Sequence, residues 1–558
     1  MKRSDQAFAG ATPQPRTIGF NIIKAMKMWP DRLAFEICGE QLTYSQYALK
    51  VEQYAKALIK IGVDHGDHIG ILMPNCRDYC LLIDAITMIG GCAVNLNARY
   101  RSEELGHVVN QADIRILLTT GIGAEHVDLH RLLCSTFPEL RNWQYGEPLA
   151  IASAPRLQLV GTFHAGEELG WLRADIMLDQ VVDITDEVLS ERIAAVRETD
   201  PAVILFSSGT TAAPKACLIS QQMISSVARA LASRMEITEN DVMWNPLPMY
   251  HLSSILPLNA CRQNGAFYIS QQHFEAREAL DLMVRNRVSI AYPAFPTIMA
   301  AIIDHDDFPK SDLSSLRMML NIGAADLLRK FVAALPQAVQ LGCFGITEGG
   351  GICSVNRISD TLEQRVSTSG PALDDHTIRI VDSETLEDVP AGQLGEIWVG
   401  GAIFSGYHND PQKTAETLID GWCRTGDLGF LDENGLLVYN GRIKDMLKIG
   451  GENVAAVEIE SFLLQHPAIK MAQVVSVADD HLVEVAGAYI ELASGKSLSA
   501  EEVVAFCIDR IASFKIPRYI EFVQEWPMSA TKIQKGKLSR TFHPGARVDL
   551  AALRRSNL

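Results

Sequence analysis

The chain has no apolar run of about 18 residues, the length that a membrane-spanning helix needs. Its beginning, MKRSDQAFAGATPQPR, has basic residues but no apolar stretch after them, so we expect no secretory signal. The 11 cysteines include no CxxC pair of the metal-binding type. Reduced thiols in the cytosol are the simplest interpretation of such scattered cysteines. These absences predict a cytoplasmic, globular protein without a transmembrane segment.

An excess of positive charge is also missing. The formal net charge is −17 at pH 7, and nucleic-acid binding needs a basic surface to neutralise phosphates, so we expect no nucleic-acid partner. The acidity lies almost wholly before residue 445, since the remaining residues contain 13 Lys or Arg and 14 Asp or Glu. Among the residues from 445 onward, the stretch 532–540 contains no acidic residue but four basic ones: Lys532, Lys535, Lys537 and Arg540. By itself such a group is typical of a solvated surface segment.

The length and the apolar pattern predict a multidomain α/β protein. With 558 residues the chain exceeds the size at which one core stops growing. Strand-like apolar runs at residues 68–73 and 116–118 alternate with helical periodicity such as that of residues 44–61. This alternation predicts mainly parallel sheets flanked by helices. We place a large N-terminal domain at residues 1–443 and a small α+β domain at residues 444–558.

The stretch at residues 205–215, LFSSGTTAAPK, is rich in small and hydroxyl-bearing residues and ends in lysine. A buried strand at residues 202–206 precedes the loop and helical periodicity begins at Gln221, so we expect a strand-to-helix loop, as phosphate sites often have. It is not a nucleotide P-loop, because Pro214 precedes the lysine and Ala216 follows it. A polar surface turn is the alternative. As a polyphosphate site the loop would use Ser207, Ser208, Gly209, Thr210, Thr211 and Lys215.

Two later segments, FGITE at residues 344–348 and TGDLG at residues 425–429, follow in an order and at spacings typical of one family. With them, the chain resembles the adenylate-forming superfamily of acyl-CoA synthetases, peptide-synthetase adenylation domains and luciferases. The resemblance covers residues 42–537 and includes several ordered motifs. It implies ATP and Mg²⁺ as cofactors, CoA as the acceptor substrate, and a mobile C-terminal domain that rotates about a hinge near Lys444.

The resemblance also assigns roles to individual residues of the nucleotide site. Thr347 would contact the α-phosphate, and Glu348 would bind Mg²⁺, which typically takes only one or two carboxylates. Asp427 would accept both ribose hydroxyls through its two oxygens, with Arg442 near the same sugar. Phe344 would lie against adenine, in the place of the family's usual tyrosine. Gly323, Ala324, Gly345 and Lys444 are also assigned to cofactor binding.

His251 follows Pro248, Met249 and Tyr250 and resembles the histidine that borders the acyl carboxylate in acyl-CoA synthetases. A structural histidine is the alternative, since a single His shows neither its partners nor its protonation state in the sequence. Amino-acid-activating relatives usually carry an Asp close to this segment, where it holds the substrate's ammonium group. Residues 250–253 contain no acid, so we expect a carboxylic acid substrate without an α-amine.

The segment PMSATKIQK at residues 527–535 resembles the family's closing motif, whose lysine bridges the carboxylate and the α-phosphate during adenylation. A mobile ammonium group suits this task, because it can stabilise charge on both reactants and then withdraw. Alignment on residues 533–535 makes Lys532 the catalytic residue, whereas alignment on Gly536 makes it Lys537. We prefer Lys532, because its alignment matches more of the motif.

Two adjacent glycines, Gly450 and Gly451, lie in a segment that resembles the loop lining the acceptor thiol's tunnel after the small domain rotates. Paired glycines allow the backbone to approach a narrow pantetheine arm closely. A simple hairpin turn is the alternative interpretation.

These assignments predict an AMP-forming acid:CoA ligase that converts a fatty or other apolar carboxylic acid to an acyl-adenylate and then to a CoA thioester. One alternative is a stand-alone adenylating enzyme that loads the phosphopantetheine arm of a carrier protein. Another is a nucleotide-binding protein that has lost catalysis, since Ala212, Ala216 and Thr531 stand where the family usually has glycine. The sequence does not identify the acid or the oligomeric state, and a homodimer is left open.

Overall fold

A computed structural model describes residues 16–123, 127–164, 169–207, 214–449, 452–479, 483–508, 510–529, 532–541 and 548. The chain forms two compact units. The first unit consists of Met1–His273 and Ala402–Thr414, and the second unit consists of Phe274–Gly401 and Ala415–Leu558. Residues 402–414 therefore belong with the first unit, although their neighbours in the chain belong to the second.

The helices of the described residues are, in chain order, α1 (Ile18–Met28), α2 (Tyr44–Lys60), α3 (Arg77–Met88), α4 (Ser102–Gln111), α5 (Leu129–Thr136), α6 (Ala174–Asp179), α7 (Asp186–Ala195), α8 (Gln221–Arg234), α9 (Leu252–Asn264), α10 (Ala276–Arg285), α11 (Pro296–Ile303), α12 (Ala325–Ala334), α13 (Leu362–Ser367), α14 (Pro411–Thr417), α15 (Ala456–Leu463), α16 (Ala500–Cys507) and α17 (Lys535–Thr541).

The strands are β1 (Leu33–Ile37), β2 (Glu40–Thr43), β3 (His68–Leu72), β4 (Cys92–Asn95), β5 (Ile116–Thr120), β6 (Leu159–Phe163), β7 (Leu172–Arg173), β8 (Pro201–Ser207), β9 (Lys215–Ser220), β10 (Val242–Trp244), β11 (Phe267–Ser270), β12 (Ile290–Ala294), β13 (Met318–Asn321), β14 (Val339–Leu341), β15 (Cys343–Phe344), β16 (Ser354–Val355), β17 (His376–Val381), β18 (Gly395–Gly401), β19 (Gly406–Tyr407), β20 (Leu418–Ile419), β21 (Trp422–Leu431), β22 (Leu437–Arg442), β23 (Met446–Ile449), β24 (Glu452–Ala455), β25 (Ile469–Asp479), β26 (Val483–Leu492), β27 (Tyr519–Phe522), β28 (Met528–Ser529) and β29 (Lys532–Ile533).

The largest sheet of the first unit has the strand order β19-β9-β8-β4-β3-β5-β6-β7. Its strands from β8 to β7 are parallel neighbours, whereas β9 runs antiparallel to β8 and β19 runs antiparallel to β9. The central strands β3 and β4 are buried along almost their whole length, as parallel strands covered on both faces are. The prediction of an α/β fold with mainly parallel strands is confirmed.

Helix α2 shows how neighbouring residues determine local structure. It begins at a capping box, in which Thr43 and Gln46 exchange hydrogen bonds between side chain and backbone. Its buried side chains recur every three or four residues, so one face of the helix packs on the core. The helix predicted at residues 44–61 and the strands predicted at residues 68–73 and 116–118 are therefore all present.

A second group of strands in the first unit includes β10, the strand that precedes His251 in the chain. Strands β10, β11 and β1 lie side by side in parallel, and β2 runs antiparallel to β1. After β10 the chain reaches α9 through the segment that contains His251.

In the second unit, β12, β13 and β14 are parallel neighbours. A separate antiparallel sheet has the order β17-β18-β21-β20, and β22 also pairs with β21. Asp427 of β21 and Arg442 of β22 are direct partners in this ladder. The antiparallel sheet therefore brings together two residues that the family resemblance assigns to the same sugar.

The part of the second unit after Arg442 has a sheet of its own, with the order β24-β23-β26-β25 and with β27 paired to β26. One hydrophobic core joins this sheet to α15 and α16, and all its members, such as Leu447, Ile490 and Val504, come from this part. The small C-terminal α+β domain is present as predicted, whereas its boundary at residue 444 and its mobility stay predictions. Among the described helices, none has the length and apolar character to cross a membrane.

Candidate active site

Ser207 and Lys215 mark the two ends of the predicted phosphate loop in the first unit. Ser207 is the last residue of β8, Lys215 is the first residue of β9, and the two pair across the antiparallel ladder. The other predicted phosphate ligands lie outside the described residues: Ser208, Gly209, Thr210 and Thr211. The sheet therefore holds the ends of the loop side by side.

The prediction that this loop joins a strand directly to a helix is wrong. The six-residue strand β9 follows the loop, and α8 begins only at Gln221, where the Ser220 side chain accepts a hydrogen bond from the Met223 amide. Residues 215–220 pair with β8 over their length, so the loop closes an antiparallel hairpin. Within the described residues, the ammonium group of Lys215, rather than a helix N-terminus, is the positive group at the end of this loop.

The ammonium group of Lys215 lies over an aromatic ring. Its Nζ atom is 5.2 Å from the ring centroid of Tyr407, a residue of β19, which is the neighbour of β9 in the sheet. An ammonium group within about 6 Å of an aromatic face is attracted by the electron-rich centre of the ring. Lys215 itself is partly exposed, so its charge is accessible to a ligand.

His251 lies directly before α9 in the first unit, with extended backbone angles (φ −128°, ψ 151°). Its carbonyl oxygen accepts hydrogen bonds from the amides of Ser254 and Ile255, at 3.1 and 3.3 Å. The imidazole packs edge-on against the ring of Tyr250, with 4.8 Å between the ring centroids. The backbone of His251 thus starts the helix, and its contact with an acyl carboxylate stays a prediction.

The turn after Phe344 in the second unit requires glycine for steric reasons. A Cβ atom on Gly345 would lie 1.9 Å from the carbonyl oxygen of Gly351. Gly350 and Gly351 have φ values of 94° and 87°, which are rarely adopted by residues with a side chain. The glycines therefore allow the backbone of residues 345–351 to fold closely on itself.

The carbonyl oxygen of Gly349 is held from two sides within this turn. The thiol of Cys353 donates a hydrogen bond to it at 3.1 Å, and Nε2 of the buried His376 lies 2.9 Å away. A hydrogen bond to a carbonyl requires the imidazole proton on that nitrogen. These contacts fix the backbone directly after Thr347 and Glu348, which are both partly exposed.

Asp427 and Arg442 form an ion pair between β21 and β22. Nε of Arg442 lies 2.9 Å from Oδ1 of Asp427, and the carboxylate is only 2% exposed whereas the arginine side chain is 39% exposed. The amide of Asp427 donates to the hydroxyl of Thr425 at 3.0 Å, and that hydroxyl donates to the carbonyl of Ile397 at 2.6 Å. Arg442 on the neighbouring strand therefore orients the carboxylate, and the Thr425 hydroxyl fixes the backbone that carries it.

The ionisable neighbours of Arg442 favour the charged form of its guanidinium. Burial by itself would lower the pKa of this guanidinium, but ionisable neighbours raise the pKa above its ordinary value. In order of decreasing effect these neighbours are Asp427, Tyr439, Asp445 and Glu348. The structure thus brings the predicted ribose and metal residues of the second unit into one electrostatic group.

Phe344 and Tyr439 form an aromatic pair beside this group. Phe344 is buried at the end of β15, and its ring centroid lies 5.9 Å from that of Tyr439, with 31° between the ring planes. Tyr439 is 39% exposed, so one ring of the pair faces solvent. The contact of Phe344 with adenine stays a prediction.

Sequence reasoning missed Glu396, which binds the part of β21 directly before Asp427. Its buried carboxylate accepts hydrogen bonds from the Arg424 guanidinium at 2.9 and 3.2 Å, from the Trp398 indole at 3.0 Å and from the Gly426 amide at 3.1 Å. A carboxylate is stable inside a protein only when such partners surround it. The signal in the sequence is a glutamate in a strand whose other residues are apolar or glycine, GEIWVGG.

Gly323 and Ala324 lie between β13 and α12 in the second unit. They follow the carboxyl end of a parallel strand, which is where open α/β sheets usually bind ligands. Lys444 is exposed in a short 3₁₀ turn at Ile443–Asp445. The cofactor contacts of these residues stay predictions.

The two candidate catalytic lysines have different local structures. Lys532 belongs to the short strand β29, opposite Ser529 in β28, and its side chain lies outside the described residues. Lys537 is an exposed residue of α17. Between them, Lys535 forms an ion pair with Glu460. The assignment of the catalytic role to Lys532 stays a prediction.

Gly450 and Gly451 also lie outside the described residues. The strands on either side of them, β23 and β24, form an antiparallel pair. The flanking strands are therefore neighbours in the sheet, and the contact of the two glycines with a pantetheine arm stays a prediction.

Comparison with known proteins places the chain in a family. The family model described as "AMP-binding enzyme" matches residues 23–408, and the one described as "AMP-binding enzyme C-terminal domain" matches residues 458–532. YngI of Bacillus subtilis strain 168, which is named as an acyl-CoA synthetase, is 32% identical over 536 residues, covering 94% of this chain and 96% of YngI. The mitochondrial medium-chain acyl-CoA ligase ACSF2 of Mus musculus is 32% identical over 545 residues, covering 94% of this chain and 87% of ACSF2.

Solved structures show the same fold. The anthranilate CoA ligase AuaEII in complex with anthranoyl-AMP has a TM-score of 0.79 at 23% identity, over 94% of this chain and 97% of AuaEII. The o-succinylbenzoate CoA synthetase MenE of Bacillus subtilis, in complex with its acyl-adenylate intermediate, has a TM-score of 0.77 at 23% identity, over 97% of this chain and all of MenE (100%). The two family models and the full-length relatives therefore agree with the motifs, and the chain belongs to the AMP-binding enzymes as an acyl-CoA synthetase, an AMP-forming acid:CoA ligase.

Proposed function

We propose that the protein activates an apolar carboxylic acid with ATP, forms an acyl-adenylate, and transfers the acyl group to the thiol of CoA. The observation that carries this proposal is the buried carboxylate of Asp427, paired with Arg442 in the electrostatic group that includes Glu348. A carboxylate in a fixed orientation suits the two hydroxyls of a ribose. A partly exposed carboxylate nearby suits a cation bound to phosphates.

In the first half-reaction, a carboxylate oxygen of the acid attacks the α-phosphorus of ATP, and pyrophosphate leaves. Because both reactants are anions, the enzyme must position them and place positive groups against the developing charge. Asp427 would hold the ribose, Thr347 would donate a hydrogen bond to the α-phosphate, and Lys215 would neutralise the phosphates that depart.

Glu348 would hold Mg²⁺ together with the phosphates of ATP. No cluster of three or more His, Cys, Asp or Glu side chains suited to a metal occurs in the described part of the chain. Mg²⁺ commonly takes one or two carboxylates, substrate phosphates and water, so a single partly exposed Glu348 fits this ion. When bound, the ion would neutralise charge on the leaving pyrophosphate.

The second half-reaction would depend on the C-terminal domain. We propose that Lys532 closes over the adenylation site and that the domain then rotates about Lys444, which would bring Gly450 and Gly451 to the pantetheine arm of CoA. The separate hydrophobic core of this domain supports its movement as one body. The engagement of Lys535 by Glu460 favours another lysine of the same motif for catalysis.

An apolar acid fits the segment around His251 best. The neighbouring Tyr250 is buried, and α9 opens with the sequence LSSILPL, in which no side chain is charged. An ammonium group of an amino-acid substrate would lack a carboxylate partner in residues 250–253. The relative ACSF2 is named as a medium-chain acyl-CoA ligase, which supports a fatty acid. The cytoplasmic location and a homodimer stay predictions.

The experiment that tests the proposal measures the release of pyrophosphate from ATP in the presence of Mg²⁺. The full chain is incubated with straight-chain fatty acids of increasing length, aryl acids and amino acids, with and without CoA, and mass spectrometry identifies acyl-CoA. Acyl-CoA formation with one class of apolar acids is the expected result. Release that does not respond to CoA would favour a carrier-protein acceptor. ATP binding without release for any acid would overturn the proposal in favour of a binding protein.

A further inference from the structure

Strand β19 brings an aromatic ring to the end of the phosphate-loop hairpin. Gly406 and Tyr407 pair with Leu218 and Cys217 of β9. In an antiparallel pair, a residue shares its sheet face with the residue two positions from its direct partner, and long side chains reach across that diagonal. Tyr407 therefore shares a face with Lys215, in agreement with the 5.2 Å between the Lys215 Nζ atom and the ring centroid.

The ring of Tyr407 has a fixed position. Only 6% of the residue is exposed, and Phe404 packs edge-on against the ring with 4.9 Å between the centroids. The Tyr407 amide donates a hydrogen bond to the hydroxyl of Thr414 at 2.9 Å. A buried ring with these contacts cannot follow the lysine, so it acts as a support on which the ammonium group rests.

The residues that follow Tyr407 attach β19 to the large parallel sheet. Nε2 of His408 lies 2.9 Å from Oδ2 of Asp113, and the amide nitrogen of the Asn409 side chain donates to the same oxygen at 2.7 Å. The ring of His408 also packs edge-on against that of His68, the first residue of β3, with 4.8 Å between the centroids. The ring of Tyr407 beneath Lys215 is therefore held both by its own contacts and by those of the two residues that follow it.

We propose that Tyr407 is a positioning residue that holds the ammonium group of Lys215 ready for the phosphates of ATP. This inference rests on the proposed function, since it assumes that Lys215 contacts the nucleotide. An unrestrained lysine samples many rotamers, and binding to phosphates would have to order it. The ring restricts those rotamers from one side and leaves N–H donors on the other side for phosphate oxygens. Only the aromatic face is needed for this role.

The test compares Tyr407→Leu with Tyr407→Phe in the full chain. Leucine removes the aromatic face but remains apolar, whereas phenylalanine keeps the face and removes only the hydroxyl. We expect Tyr407→Leu to raise the KM and the Kd for ATP about two- to fivefold, with a smaller change in kcat, and Tyr407→Phe to restore the wild-type values. Calorimetry with ATP and Mg²⁺ in the absence of acid supplies the Kd. Tyr145→Leu, at an exposed tyrosine of the same unit, controls for the loss of a tyrosine.

A second comparison asks whether Tyr407 acts through Lys215. In a Lys215→Ala background, Tyr407→Leu should not change the affinity for ATP further, because the ring has no ammonium group left to support. A general loss of packing would instead weaken both backgrounds by the same factor. That additive result, or a Tyr407→Phe variant as weak as Tyr407→Leu, would overturn the inference.

The same measurements separate this inference from the proposed function. If Lys215→Ala leaves ATP affinity and pyrophosphate release unchanged, Lys215 is not a nucleotide ligand and the inference fails with that assignment. If Lys215→Ala weakens ATP binding but Tyr407→Leu adds its own separate loss, the nucleotide site stands and only the role of Tyr407 is refuted.

Discussion

The two proposed nucleotide ligands Asp427 and Lys215 are held in different ways. The carboxylate of Asp427 is 2% exposed and is paired with Arg442 on the neighbouring strand. The ammonium group of Lys215 belongs to a partly exposed residue and rests on the ring of Tyr407. A directional ion pair restrains the first group, whereas a contact with a broad aromatic face restrains the second.

This difference matches the two tasks that we propose. A ribose keeps its position during adenylation, so a carboxylate whose geometry is set before binding loses no time or energy in reorganisation. The outer phosphates move away as pyrophosphate leaves. An ammonium group on a flexible stem can follow them, because an aromatic face tolerates a range of cation positions.

The largest effect is expected when the ion pair of Asp427 with Arg442 is removed. Asp427→Asn keeps the size of the side chain but removes the charge that Arg442 and a ribose would bind. Hydrogen bonds to charged groups contribute about 1.5–3 kcal/mol, so kcat/KM for ATP should fall roughly 10- to 150-fold. Steady-state kinetics of pyrophosphate release measure this value. Asp432→Asn, in the turn between the same two strands, is the matched control, and an equal loss in both variants would contradict the role of Asp427.

The glycine turn tests whether rigidity also comes from backbone packing. Gly345→Ala would place a Cβ atom 1.9 Å from the carbonyl oxygen of Gly351, and backbone cannot move aside as a flexible side chain can. We expect a loss of about 1–3 kcal/mol in the free energy of unfolding, measured by urea denaturation. At Gly323 the nearest atom would be 3.5 Å away, so Gly323→Ala should leave stability almost unchanged. Equal stability of the two variants would show that the turn can relax.

Glu396 tests whether the support behind Asp427 is needed. Glu396→Gln keeps the shape of the side chain, but its NH₂ group would face one of the donors Arg424, Trp398 or Gly426. We expect a loss of roughly 1–2 kcal/mol in the free energy of unfolding and a rise in the KM for ATP. Glu384→Gln, at an exposed glutamate, supplies the control. An unchanged KM would mean that Asp427 keeps its orientation without the hydrogen bonds to the Glu396 carboxylate.

The smallest expected effect concerns the pH dependence of stability that arises from His68, whose ring packs on that of His408. Burial lowers the pKa of His68, so the folded protein favours the neutral imidazole. The unfolded chain then binds more protons at low pH than the folded chain does. The contribution of His68 to the free energy of unfolding should therefore be fully present above the ordinary histidine pKa of about 6.5 and should decrease as the pH falls through and below that value. The ionisable groups that face this imidazole are His408, Asp113 and Asp67.

The measurement follows the free energy of unfolding, obtained by urea denaturation, from about pH 8 to about pH 5 in the wild type and in His68→Gln. Removal of the imidazole should reduce the slope of this free energy against pH by at most ~1.4 kcal/mol per pH unit, the value for one proton. A slope that stays the same in His68→Gln would assign the pH dependence to other groups.

Local features of this fold could be predicted because their signals lie in neighbouring residues. The periodic apolar face of residues 44–61 predicts α2 almost to the residue, and the structure adds the capping box of Thr43 and Gln46 at its start. The hairpin at Lys215 could not be predicted in this way. Residues 215–220 are compatible with several structures, and their pairing with β8 and β19 makes them a strand. Glu396 was missed for a similar reason, because its buried partners become visible only when β18 and β21 lie side by side.

The sequence by itself determined the class of fold, the order of the motifs and the chemical character of the groups that we assign to ATP. Tertiary structure alone decided how those groups are held. Tyr407 lies beneath Lys215, and Arg442 lies beside Asp427, because of strand order and register. Those features depend on how distant segments pack together, and electrostatic contacts depend on the distance in space between groups rather than along the chain.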